Sequence, residues 1–326
     1  MASSHASSPA RSEGWLRRGA PLGGLLVLGL ALGAALLPSW LVFLSCVALA
    51  KGLVVLGLVM LWRAGLIPFG QALYYAAGAY TVALLSRAGL KDAVLLTALG
   101  GLAASIVAFL VGFLLARYRE IFFAMLSLAV SMILYGVLVK TEALGSTDGF
   151  NVSVSTFFGL APRGNAQVLA LFWLTLGTAA LSALAMRAYF GSVAGALAVP
   201  LRDNEIRVEY LGVPVTRLVH LKLVIAGLLA GLGGALTALV VAHVDPEMAY
   251  WTTSGGFVFV AILAGPHSVT AAFAGAFLFE ALRSFAVAAL PGFWQTILGS
   301  ALLLAILFIP EGIGSLARLA RRRAAP

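Results

Sequence analysis

The groups able to do chemistry in this chain are few and scattered. Its four histidines, His5, His220, His243 and His267, lie far apart, and no HExxH, GxSxG or paired DxxD pattern accompanies them. Hydrolysis or metal catalysis therefore has no set of residues to perform it. His243, Asp245 and Glu247 do fall within five residues in AHVDPEM. Pro246 interrupts them and a fourth ligand is missing, so a polar turn is expected there and no metal. The single cysteine, Cys46, excludes an intrachain disulfide or a CxxC site and reads as a small buried hydrophobe. No GxxxxGK[ST] run is present, so this chain cannot cradle nucleotide phosphates in a P-loop. If ATP drives it, the ATPase is another subunit.

Charges inside apolar runs are the sharper signal, because an ionisable group at membrane depth is costly unless paired or facing water. Glu280 and Arg283 lie three apart in FLFEALRSFAV, close to one helix face, and can either pair with each other or line a pathway. Lys51, in SCVALAKGLVV, has no acid near it in sequence; it must snorkel, find a remote partner or face a cavity. Gln71, Tyr74, Tyr75 and Tyr80 surround a Gly- and Pro-marked segment, and Ser127 and Ser131 form a polar stripe at i,i+4. Both sets fit a passage, and both fit hydrogen bonding between helices.

A third group of residues is too polar to dissolve in lipid. The segment 188–216 reads AYFGSVAGALAVPLRDNEIRVEYLGVPVT, and after Pro200 it mixes Leu201, Ile206, Val208 and Leu211 with Arg202, Asp203, Asn204, Glu205, Arg207 and Glu209. Pro200 on one side and Gly212 and Pro214 on the other bound a short amphipathic element. It reads either as a solvated surface helix or as a coupling helix lying along the membrane. In the second case it enters a groove on a cytoplasmic partner, with Arg202, Asp203, Glu205 and Arg207 giving charged contacts and Leu201 and Ile206 the apolar anchor.

The elements that must position these residues are membrane helices. Of 326 residues, 62% are hydrophobic and 10% charged, far below the roughly one-quarter charged fraction of a soluble domain. The mean hydropathy is +1.04. Apolar runs cover 20–37, 41–62, 68–86, 93–115, 121–139, 167–188, 218–242, 252–265, 268–289 and 293–309. The fold class is thus all-α, a polytopic transmembrane bundle of about ten segments, since each crossing takes about 20 apolar residues. Run 68–86, opening Pro68-Phe69-Gly70-Gln71, and run 252–265, closed by Gly265-Pro266-His267, are expected to be broken or re-entrant. Gly227 and Gly231 share a face at four-residue spacing, and with Gly234 they predict a tight helix-packing seam, the alternative being a hinge at Gly233-Gly234.

The net charge of +9 does not form the stripe that nucleic acid requires; the basic residues gather at the ends of apolar runs. With the amino terminus inside, Arg11, Arg17, Arg18, Arg63, Arg117, Arg119, Arg187, Arg202, Arg207, Arg217 and the tail Arg318, Arg321, Arg322 and Arg323 share the cytoplasmic side. Only Arg87, Lys91, Lys140 and Arg163 fall opposite, which predicts both termini cytoplasmic. The expected layout is a cytoplasmic tail over 1–18, a membrane domain over 19–312 with the inner loop at about 188–217, and a basic tail over 313–326. Arg17 and Arg18 before Pro21–Leu37 also resemble a signal peptide, but no small-residue cleavage site precedes Trp40, and a retained helix is expected. The outer connection 140–166, with Phe150, Phe157 and Phe158 among Gly, Ser and Asn, reads as a plain connector or as a lid.

Four blocks carry a family likeness. FGQALYYAAGAYTVALL (69–85), YREIFFAMLSLAVSMIL (118–134), RDNEIRVEYLGV (202–213) and AGLGGAL (230–236) together resemble, in order and spacing, the LivM-type permeases of branched-chain amino acid ABC import systems, over about residues 40–315. The resemblance implies a bacterial inner-membrane permease that performs no bond chemistry and binds no cofactor itself. It implies a LivH-type permease partner, two cytoplasmic ATPase subunits carrying ATP and Mg, and an extracytoplasmic solute-binding protein. The family's cytoplasmic signature falls on Arg202, Asp203, Asn204, Glu205, Glu209 and Gly212. Upstream, where the family commonly carries arginines, this chain has Gly195-Ala196-Leu197-Ala198-Val199-Pro200, and the family's SLGH-like turn stands as Pro68-Phe69-Gly70-Gln71. Related permeases also serve urea, short amides and other small polar solutes, which is the alternative substrate class. An ion-coupled secondary transporter is the mechanistic alternative, although Glu280 is the one acid deep in a run.

Overall fold

A computed structural model describes residues 38–153, 155–266, 268–308 and 312–313. The run 20–37, with the signal-peptide alternative, the amino-terminal tail and the basic tail beyond 313 lie outside the described residues. Twelve α-helices and one two-residue strand pair are described: α1 Ser39–Arg63, α2 Gln71–Arg87, α3 Ala93–Leu115, α4 Glu120–Lys140, α5 Asn165–Gly191, α6 Val193–Ala196, α7 Ala198–Asp203, α8 Glu205–Tyr210, α9 Val215–Val241, α10 Trp251–Ala264, α11 Val269–Ala289 and α12 Trp294–Phe308.

Among the described residues, six helices (α1, α3, α4, α5, α9 and α11) are long and apolar enough to cross a membrane. This differs from the ten segments expected. Helices α2, α10 and α12 have 17, 14 and 15 residues, and at 1.5 Å per residue each falls short of the roughly 30 Å hydrocarbon core. The causes are local. Gly65 has a φ of +76°, which only glycine adopts readily, and the chain stays non-helical through Pro68 to Gly70. The Phe69 amide is taken by Ser127 Oγ at 3.0 Å instead of by a helix carbonyl, so the apolar run loses its first turn. At Gly265, with a φ of +77° and Pro266 after it, α10 stops.

The bundle is organised around α9, which packs against α3, α1 and α2, while α11 lies on the far side of α1. The middle of α1, Leu53 to Leu61, is buried on every side. Glycines allow these helices to approach closely: a Cβ at Gly227 would meet Ala108, at Gly231 Ala104, at Gly234 the Tyr75 carbonyl and at Gly233 the Ala50 carbonyl. The small residues of α9 therefore face three different neighbours, where sequence spacing indicated one seam.

The outer connection is strapped down. Strands β1 Phe150–Asn151 and β2 His243–Val244 pair antiparallel, joining it to the end of α9. Asp92 caps α3 through the Leu95 amide at 3.0 Å and also accepts from the Phe158 amide at 2.7 Å. Phe150 packs edge-on against Tyr80, whereas Phe158 projects into solvent.

Candidate functional site

The inner segment folds as three short helices, with Pro200 inside α7 rather than at its boundary. Ser192 caps α6 through the Gly195 amide. Pro200 is tolerated in the first turn of α7, where its missing N–H has no helical acceptor. Asn204, extended at φ −163°, breaks the path and caps α8 by accepting from the Arg207 amide at 3.1 Å. Gly212, at φ +80°, turns the chain into α9.

Burial sorts the residues of this segment. Leu201 and Val208 are fully inside the main core, so Leu201 is not available as an outward anchor, in contrast to the sequence expectation. The outward apolar surface is instead Ile206, Tyr210 and Leu211, exposed by 62%, 87% and 69%. Arg202, Asp203, Arg207 and Glu209 are exposed as well. Glu205 forms an ion pair with Arg119 from the α3–α4 turn. The Arg202 stem lies against Gly65, and Arg63 at the end of α1 stacks over Phe190, 4.4 Å from the ring centroid.

Sequence reading missed one residue here altogether. Lys222, two turns into α9, is wholly buried and donates to Tyr189 Oη at 2.9 Å and to the Ala194 carbonyl at 3.1 Å. A lysine well inside an apolar run with no acid three or four positions away was the available signal.

Midway along α1, Lys51 meets a remote partner: its Nζ donates to Glu280 Oε1 at 2.7 Å. Arg283 is the looser partner, 3.9 Å from the other carboxylate oxygen, and lies over the Trp294 ring. Ser127 and Ser131 are buried. Ser127 Oγ accepts from Phe69 N, and Ser131 Oγ donates to the Ala249 carbonyl at 2.8 Å, so both join α4 to neighbouring elements. Gln71, Tyr74 and Tyr75 are buried along α2; neither amide atom of Gln71 nor the Tyr74 hydroxyl has a partner among the described residues. Ser254 Oγ receives the Ala72 amide, tying α10 to the start of α2.

A cavity of about 400 Å³ opens beside this broken start, lined by Leu58, Trp62, Ile67, Phe69, Ile121 and Ile262, with Glu120 at its edge. Its wall is almost entirely apolar. Around the AHVDPEM turn, His243 Nδ1 bonds Asn151 Oδ1 and Asp245 caps the Met248 amide. Among the described residues no three metal-ligating side chains cluster.

Residues 40–309 match the family model described as branched-chain amino acid transport system / permease component. The high-affinity branched-chain amino acid transport system permease proteins LivM of Salmonella typhimurium and of Escherichia coli are each 27% identical over 290 residues, covering 80% of this chain and 67% of their own length. No solved structure matches.

Proposed function

The chain belongs to the branched-chain amino acid transport permease family, and from that premise we propose that it is the membrane path of an ATP-driven importer whose cytoplasmic ATPases grip the inner segment. It is a permease subunit for branched-chain amino acid import and not an enzyme.

The observation that carries the coupling role is the two-sided build of α7 and α8. Leu201 and Val208 root them in the core, while Ile206, Tyr210 and Leu211 are exposed together with Arg202, Asp203, Arg207 and Glu209, apolar groups among charged ones. That is the anatomy of a protein-binding surface. Two ATPase subunits, holding ATP and Mg, engage it. A LivH-type permease pairs with this chain in the bilayer, and an extracytoplasmic solute-binding protein delivers substrate. Ten segments in the bacterial inner membrane, counting the run 20–37 and the short helices α2, α10 and α12, of which an even number re-enter rather than cross, leave the tails 1–18 and 313–326 in the cytoplasm, flanking the membrane domain 19–312.

For the path itself, the apolar cavity beside the non-helical stretch before α2, lined by Ile67 and Phe69, suits a branched aliphatic side chain. Glu280 and Arg283, held with Lys51, set the charge on the other side of α1. Closure of the ATPases moves the inner segment, and the bundle opens toward the binding protein by rocking between two packings.

The test is reconstitution in liposomes, alone and with the partner subunits. ATP-dependent uptake of leucine, isoleucine or valine by the full assembly is expected. Uptake by the lone chain under a proton or sodium gradient without ATP overturns the proposal, and a ligand screen of the binding protein that returns urea or a short amide overturns the substrate.

A further inference from the structure

Lys222 is a side chain that packing alone does not call for. A buried ammonium carries a desolvation penalty of several kcal/mol, and among the described residues no carboxylate pairs with it. An unbranched apolar residue would fill the same space. What the lysine adds is direction: it leaves the body of α9, crosses to the end of α5 at Tyr189, and ends on the backbone carbonyl of Ala194 in α6. Its ammonium also lies 5.2 Å from the centroid of the Tyr189 ring.

The other attachments of the inner segment differ in kind. Leu201 and Val208 insert into apolar surroundings, where contacts are non-directional. Arg119–Glu205 is an ion pair partly open to solvent, weak and screened by salt. Lys222 combines full burial with two directional bonds that reach across elements 28 and 33 positions apart. Between five and twelve residues further along α9 come Gly227, Gly231 and Gly234, each pressed on α3 or α2. A displacement delivered at Lys222 therefore reaches the tight helix contacts within the same helix.

We propose that Lys222 is the positioning residue that makes the inner segment and α9 move as one body, so that the thrust of a cytoplasmic ATPase on α7 and α8 is delivered to the helix at the centre of the bundle. This rests on the reading of the inner segment as the ATPase-engaging surface.

The experiment uses the complete importer in liposomes with three variants, Lys222→Met, Tyr189→Phe and Tyr210→Asp. Lys222→Met is expected to retain its ATPases and its thermal midpoint while the solute moved per ATP falls about tenfold, a coupling loss of roughly 1.4 kcal/mol. Tyr189→Phe, which keeps the ring and the carbonyl contact, falls about threefold, roughly 0.65 kcal/mol. Spin labels at Val199→Cys and Val241→Cys, both on exposed positions, read the joint motion directly: their separation stays constant on ATP binding in the parent and changes with ATP in Lys222→Met.

Transport per ATP equal to the parent in Lys222→Met, or a parent label separation that shifts with ATP, overturns the tether. If Lys222→Met does not assemble, an unchanged transport ratio in Tyr189→Phe overturns it. ATPases that copurify with Tyr210→Asp as they do with the parent strike the underlying reading of the inner segment, a result independent of the label separations.

Discussion

Glu280 draws its principal cation from Lys51, 229 positions away, rather than from Arg283 one helical turn on. Nothing in a linear sequence indexes such a partner; the i,i+3 spacing pointed to Arg283 because it is the pairing that spacing can express. Lys51 was recognisable as needing a solution, and the solution itself was not. Removing one member of a buried pair typically costs about 3–5 kcal/mol, so Glu280→Leu, which leaves two cations facing each other, is expected to lower the unfolding midpoint most. Lys51→Met with Glu280→Leu should cost less than the sum of the singles; additive losses in that cycle would remove the pairing. At the start of α3, the amides of Leu95 and then Phe158 hold the Asp92 carboxyl below the usual aspartate range. A depressed carboxylate stabilises above its unfolded pKa, and the contribution is lost as pH falls through the folded one. Asp92→Ala should therefore cost about 1 kcal/mol at neutral pH, and its thermal midpoint should begin to approach the parent's below the usual aspartate pKa and converge on it only in acid below the depressed folded pKa. A gap that persists there would contradict this account.

Element existence was largely legible because apolar length is an explicit property of sequence. Run 93–115 coincides with α3, and the Pro-Gly signals at 68–70 and 265–266 mark where α2 starts late and α10 ends early. The inner segment was less so: Pro200 reads as a boundary, yet in a first turn it is harmless, and the real break is Asn204, whose side chain caps the next helix. The glycines of α9 were legible as packing sites, but their division among α1, α2 and α3 depends on where the neighbours stand. Substitution separates these cases. Gly234→Ala would drive a methyl into the Tyr75 carbonyl, and about 1–3 kcal/mol of destabilisation is expected. Gly136→Ala in α4 meets open space and should gain up to about 1 kcal/mol. Thermal unfolding of the two purified variants reads the difference, and equal behaviour would deny the seam.

At the scale of the whole molecule, the proposed orientation rests on the charge distribution and the long polar segment 188–216. A membrane-impermeant maleimide should modify Phe158→Cys in intact spheroplasts and Tyr210→Cys only after permeabilisation; the reverse pattern would invert the topology. Cys46 is buried and should add no background. Helices α4 and α5 leave most of their apolar surface outside the fold of this chain, whereas α1 and α9 are largely enclosed. The enclosure of α9 bears on how the protein is made. Its contact helices α1, α2 and α3 are synthesised at least a hundred residues before it, so the faces that receive it, at Ala50, Tyr75, Gly100, Ala104 and Ala108, are made without their partner. Until α9 is inserted, something other than α9 covers those small-residue faces, and lipid chains are what the bilayer supplies.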